Sequence, residues 1–295
     1  MRGSGQMKGI ACLLISGAIL SFTDGLSKYL TGQFPPGEIL FFRAFFIFIP
    51  IGFMVWRSGR LASLRIVNWP IQLARGGCAL GASFLFIVAI RHMPLADITA
   101  MLFAVPLILT ALAPYCLGEL VGWRRWTAVI VGFVGVLAMI RPSGEALLWP
   151  ALLTLIAMVL LAFRDIATRI ASRTDSTNAI IVCTTACVAL GGLVTALFGW
   201  RMPDPAGFAL LMATGILQGV GHYFLVSAFV HGEAVVVAPF RYFALIWATL
   251  YGFLMFGDIP GWHTAAGAAV VIGSGLYIFY RETRCQPKAS AKACE

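Results

Sequence analysis

The chain has 295 residues, of which 60% are hydrophobic and 11% charged, and its mean hydropathy is +0.91. A soluble domain is about 45–50% apolar and about 25% charged, so this composition excludes an ordinary water-soluble protein and a disordered chain alike. The formal charge of +9 contains no basic run interleaved with aromatics, so it points to loops at a membrane surface rather than to nucleic acid.

A helix crossing a hydrocarbon core of roughly 30 Å needs about 20 apolar residues. Ten stretches qualify: 7–30, 36–56, 70–91, 94–117, 123–140, 149–171, 177–200, 206–230, 233–257 and 262–280. The first follows Arg2 and Lys8 as a signal peptide would. No small-residue cleavage site comes after it, however, and Asp24 and Lys28 sit near its end, so it reads as an uncleaved span. Residues 1–6 have the look of a cloning remnant, with Met7 the expected natural start.

The second span carries Glu38 and Arg43, and the third carries Arg75, Gly76, Gly77, Gly81, Ser83 and Phe84. The fourth contains Asp97, Phe103 and Pro106, and the sixth Arg164, Asp165 and Arg169. In the seventh, Cys183 and Cys187 share a helix face, a spacing that suits packing better than a ligand pair. The seven cysteines show no C-x-x-C spacing, so neither a metal site nor a disulfide framework is expected. The eighth span holds Gln218, Gly219, Gly221, His222 and Tyr223, and the ninth Pro239, Arg241, Tyr242 and Trp247. The connections are short and rich in Gly, Pro, Arg and Asp, leaving no room for an aqueous catalytic module.

With the N-terminus inside, thirteen Lys and Arg fall on cytoplasmic ends, three on outer ends and five within spans. That bias sets both termini inside, and the membrane expected is a bacterial-type inner membrane. Trp56, Trp69, Trp123, Trp149, Trp200 and Trp262 fall near span ends, as an interfacial belt would.

Two alignments then divide the chain. Residues 117–123 match 256–262 without gaps at an offset of 139, and residues 21–28 match 162–169 at an offset of 141. One unit of about 140 residues with five spans has been duplicated. Five is odd, so the second copy must enter the bilayer from the opposite face, an arrangement found in many secondary transporters. The fold class expected is therefore an all-α membrane protein of ten transmembrane helices in two inverted five-helix repeats, 7–140 and 149–281, with a cytoplasmic tail at 282–295. A duplication that only enlarges a bundle is the plainer alternative.

Five plus five helices, the Ser27-Lys28 and Thr168-Arg169 pairs ending the first helix of each half, Arg43 in Phe41-Phe42-Arg43-Ala44, and Gly118-Glu119 before the fifth span resemble the EamA-type drug/metabolite transporter superfamily. The likeness runs from about residue 8 to 281. It implies a small-molecule carrier, of the kind of the YddG-type amino-acid exporters or the S-adenosylmethionine carriers, and Ala238-Pro239-Phe240-Arg241-Tyr242 resembles the second group as much as the first.

Ionisable side chains inside a bilayer are expensive and face partners or water. Asp24 is expected to pair with Lys28 or Arg43, and Asp165 with Arg169, Arg241 or Arg75. Pairs that form and break in turn would gate a pathway; alternatively Lys28 and Arg169 snorkel to the interface and the pairs join helices. A substrate site is expected from Ser83, Phe84, Phe103, Gln218, His222, Tyr223, Arg241, Tyr242 and Trp247, with Asp24, Lys28, Arg43, Arg75, Asp165 and Arg169 gating. His222 would either titrate with transport or serve as a hydrogen-bonded structural group. The glycine pairs 77/81 and 215/219 either line a pore or pack closely.

The partners expected are a small-molecule substrate, an amino acid or related metabolite, and the lipid bilayer. Nucleic acid, cofactor and metal are not, and a monomer suffices. No Walker motif points to ATP, and a membrane-embedded enzyme or a channel is the competing class.

Overall fold

The computed structural model describes residues 2–58, 66–118, 121–140 and 145–285. Glu119, the side chain of Trp56 and the tail beyond Cys285, all invoked above, lie outside the described residues or side chains, as do Arg60, Arg65 and Arg141 from the count of basic residues at span ends. Every regular element among the described residues is helical. Ten helices are long and apolar enough to cross a membrane: α1 Gln6–Leu30, α2 Pro36–Phe53, α3 Trp69–Ile90, α4 Leu95–Leu117, α5 Trp123–Ile140, α6 Leu148–Ala171, α7 Thr177–Phe198, α8 Pro205–His231, α9 Pro239–Phe256 and α10 Trp262–Tyr280. Without water to satisfy open backbone groups, helices are what such apolar runs must form.

The helix limits come from local chemistry. Proline occupies the first turn of α2, α3 and α8, where an N–H would have no helical partner anyway. The backbone N–H groups of Ala179 and Gly207 donate to the Ser176 hydroxyl and the Asp204 carboxylate, each at 3.1 Å, capping α7 and α8. Gly118 and Gly257 close α4 and α9 with φ of 68° and 72°. A side chain disfavours that left-handed turn, and the two positions are equivalent at the 139-residue offset.

Two spans are broken where proline predicts it. α4 is built from Leu95–Leu102 and Val105–Leu117, with Pro106 just after the gap. α9 opens with a 3-10 turn, Ala238–Phe243, before the α-helix Ala244–Phe256. Proline lacks the N–H that a continuous helix needs and crowds the preceding turn.

The principal contacts are α1 with α8 and α9, α2 with α7 and α8, α3 with α6 and α7, α4 with α6 and α9, and α5 with α10. Adding five to every number, and counting on from ten to one, returns the same set. α5 and α10 meet backbone to backbone, for a Cβ on Gly135 would stand 3.0 Å from the Gly267 carbonyl oxygen. The far side of α5 presents Ile130, Val131, Val134 and Leu137 outward, as lipid contact requires. Gly215 rests against Phe46 and the Arg43 carbonyl of α2, the packing alternative for that glycine pair. Gly76 abuts Cys187, which likewise makes the α7 cysteines packing residues. Trp69, Trp123, Trp149 and Trp262 are exposed at span ends, whereas Trp200 lies against Phe41 and Phe42.

Ten successive crossings put the α2–α3 and α6–α7 connections on the face where α1 begins, here the near face. A clasp joins them. Asp175 accepts from the Gln72 amide at 2.7 Å and from the Val67 N–H at 2.9 Å. The Gln72 hydrogen bond, helped by that backbone donor, holds the Asp175 carboxyl below its ordinary value of 3.8. A depressed folded value means the clasp contributes stability above the unfolded value and loses it as pH falls through the folded one. Asp175→Ala should therefore lower the thermal midpoint of the detergent-solubilised protein at pH 7, with the gap to the unmodified protein closing below about pH 4. Melting curves across pH measure both effects.

Candidate functional site

A cavity of about 280 Å³ lies where spans from both halves meet, lined from α1, α2, α3, α4, α6, α7 and α8. Gln218 stands thirteen residues into the 27-residue α8, about 20 Å along it at 1.5 Å per residue, so the cavity sits near mid-membrane. Its walls mix Leu40, Phe86, Leu102 and Val188 with Asp24, Arg43, Ser83, Arg164, Thr184, Thr185, Gln218 and His222. Ser83 and His222, equivalent at the 139-residue offset, line the same space.

One polar chain crosses three spans. Arg43 Nη2 of α2 donates to Asp24 Oδ1 of α1 at 3.2 Å and to Gln218 Oε1 of α8 at 2.8 Å, and Gln218 Nε2 lies 3.1 Å from His222 Nε2. The predicted Asp24–Arg43 pair forms. Asp165, by contrast, pairs with none of Arg169, Arg241 and Arg75. Its partner is the adjacent Arg164, at 2.7 Å. Arg75 is buried and donates instead to the Thr168 hydroxyl at 2.7 Å and the Ile180 carbonyl at 3.0 Å. It thereby joins α3, α6 and α7.

The aromatic residues expected at the substrate site lie largely elsewhere. Phe84 and Tyr223 are exposed and do not line the cavity. Trp247 stacks on Tyr251. Phe103 meets Tyr242 edge to face at 5.0 Å, and both, with Arg241, line a second crevice of about 230 Å³ against α10. A helix apolar on every side gives no stripe from which to tell its cavity face. Thr184, Thr185 and Arg164 were absent from the expected site. The serial hydroxyls of α7 were the available signal.

At the far face the spans are tied. Lys28 does not bond Asp24 but Asp258, at 2.6 Å in the α9–α10 connection, with its ammonium 4.6 Å from the Phe256 ring centre. The Thr264 hydroxyl of α10 donates to Asp97 of α4 at 2.8 Å. The Arg201 N–H donates to Glu38, which is fully buried. Toward the near face α4 and α9 separate. α9 packs on Leu95–Leu102, whereas Val105–Leu117 packs on α5 and α6. The second crevice occupies that gap. No cluster of three or more His, Cys, Asp or Glu able to hold a metal occurs among the described residues.

The model of the EamA-like transporter family matches residues 7–141 and again 148–280. An S-adenosylmethionine uptake transporter of Rickettsia prowazekii is 28% identical over 278 residues, 94% of each chain. A riboflavin transporter of Rhizobium johnstonii is 27% identical, covering 95% of this chain and 93% of its own. A pseudopaline exporter of Pseudomonas aeruginosa is 26% identical, covering 90% and 93%. A solved crystal structure matches 97% of this chain and 100% of its own with a TM-score of 0.62 at 18% identity, a likeness of fold.

Lys28 and Asp258 have side chains 12% and 28% exposed, between the exposed and fully buried regimes of ion pairs. Lys28→Ala and Asp258→Ala should each destabilise the protein, and their double mutant should fall short of the sum by about 1–3 kcal/mol. A double-mutant cycle on unfolding in detergent measures the coupling.

Proposed function

The chain belongs to the EamA-like transporter family and is a membrane transporter, not an enzyme; from that premise we propose that it carries small metabolites bearing an α-amino-acid group by alternating access. Export of amino acids across a bacterial inner membrane is the first reading. Uptake of S-adenosylmethionine, itself built on an amino acid, is the second, favoured by the relative of that name. The observation that carries the proposal is the mid-membrane cavity, tied shut at the far face and flanked by parted helices toward the near face. A volume of about 280 Å³ stands at the lower edge of ligand pockets, roughly 300–1,000 Å³, which suits a small substrate.

Two inverted copies supply the alternation. The double family match, the equivalent left-handed glycines and the contact set that maps onto itself all support a duplicated five-helix unit. Because each copy crosses an odd number of times, exchanging the conformations of the copies turns a cavity open on one side into one open on the other. In this reading both termini are cytoplasmic, the protein works as a monomer, and the Lys28–Asp258 and Asp24–Arg43 pairs must release for the far face to open. His222, joined to Gln218 at the cavity wall, is the group placed to couple a proton to that step.

Proteoliposomes test the reading. Preloaded vesicles should show saturable counterflow of at least one amino acid, faster with a proton gradient if His222 couples. Counterflow of S-adenosylmethionine alone would select the second reading, and flux that rises linearly without saturation would sink the carrier in favour of a channel. Independently, single cysteines at positions 123 and 262 should be labelled by impermeant maleimide from opposite sides of the membrane. Labelling from one side only removes the inversion.

A further inference from the structure

We propose that Arg164 is the anchor for the substrate's carboxylate and Asp24 the acceptor for its cationic group; the assignment rests on the reading of the central cavity as the transport site. Three arginines stand well inside the spans around this cavity, and their hydrogen bonds separate them. Arg75 is 9% exposed, is spent on Thr168 and Ile180, and does not line the cavity. Arg43 lines it but is engaged by Asp24, Gln218 and, at 3.5 Å, Ser27. Arg164 lines it with its side chain 34% exposed. Its Nε and Nη2 both donate to one oxygen, Asp165 Oδ1, at 3.0 and 2.7 Å.

That geometry leaves a fork. One edge of the guanidinium is held by Asp165, while the other, Nη1 with the second hydrogen of Nη2, has no protein partner among the described residues. Two parallel N–H groups in a plane match a carboxylate bidentately. Asp165 meanwhile fixes the orientation of the plane and keeps the empty site neutral.

The second pole follows from the acceptors. Asp24 uses only Oδ1 toward Arg43, so Oδ2 is available to an N–H or another cationic centre. The hydroxyls of Thr184 and Thr185 already donate to the carbonyls of Ile180 and Ile181 at 2.8 and 2.9 Å. Their free lone pairs therefore accept and do not donate. The three charged side chains that line the cavity, Asp24, Arg43 and Arg164, are also balanced in two neutral pairs, Asp24–Arg43 and Arg164 with the adjoining Asp165. A ligand with a single uncompensated charge would unbalance them far from water. A zwitterion, one charge at each pole, would not.

The test uses counterflow in proteoliposomes with leucine, methionine, phenylalanine and threonine, each beside its amide and its decarboxylated amine, and S-adenosylmethionine beside its decarboxylated form. The unmodified protein should prefer the acids by at least about tenfold in apparent affinity, the worth of a charge-assisted hydrogen bond. Arg164→Gln should raise the apparent KM for the acid by about 10–100-fold and erase the preference over the amide. Arg164→Lys, which keeps the charge without the fork, should fall between them. Gel filtration and melting curves confirm that both variants fold, and the acid-to-amide ratio reads the assignment apart from expression level. Acid, amide and amine carried alike by the unmodified protein, or a preference that survives Arg164→Gln, overturns the assignment while leaving the carrier intact. Absence of flux for every compound instead overturns the carrier reading beneath it.

Discussion

A bilayer interior has no water to solvate a charge, and that constraint organises the middle of this molecule. An ionisable group there costs several kcal/mol unless a partner or an aqueous cavity receives it. Asp24 and Arg43 meet across two spans, and Arg164 and Asp165 meet along one. Both pairs border or adjoin the same cavity. The apolar clusters of the core, such as Leu107, Val136, Met158 and Val271 in one and Leu30, Ile39, Ile87 and Leu211 in another, hold together spans from different parts of the chain, which the Asp24–Arg43 pair requires.

The two faces are built differently. At the far face three ties join distant parts of the chain: Lys28 to Asp258, Asp97 to Thr264, Glu38 to the backbone of Arg201. At the near face Asp175 joins two connections, but α9 leaves the second half of α4 to pack elsewhere. Breaks in α4 and α9 permit this, since each helix changes course where proline has removed a backbone donor. Within the proposed mechanism such breaks are where one copy can take a shape different from its counterpart.

How much of this was readable beforehand follows from the same physics. Hydropathy marks each span because crossing a membrane is a demand on consecutive residues, and Gly, Pro, Ser and Asp mark the ends because capping is local. Ten spans and the equivalence of Gly118 with Gly257 were legible for that reason. Pairing was not. Lys28 is four residues from Asp24, yet it bonds Asp258, 230 residues away, because the α9–α10 connection returns to the end of α1. Asp165 takes its immediate neighbour, a contact that ideal helix spacing does not suggest. Phe84 and Tyr223 illustrate the other limit: lipid and core are both apolar, so an aromatic side chain carries no mark of which one it faces.

The backbone contact between Gly135 of α5 and Gly267 of α10 has a mechanical meaning. At that point the two backbones approach with only the flanking Val270 and Met139 side chains beside them, and neither helix lines the central cavity. Under the proposed alternation, a contact this close suits a post to which each half contributes one helix, against which the other eight would tilt.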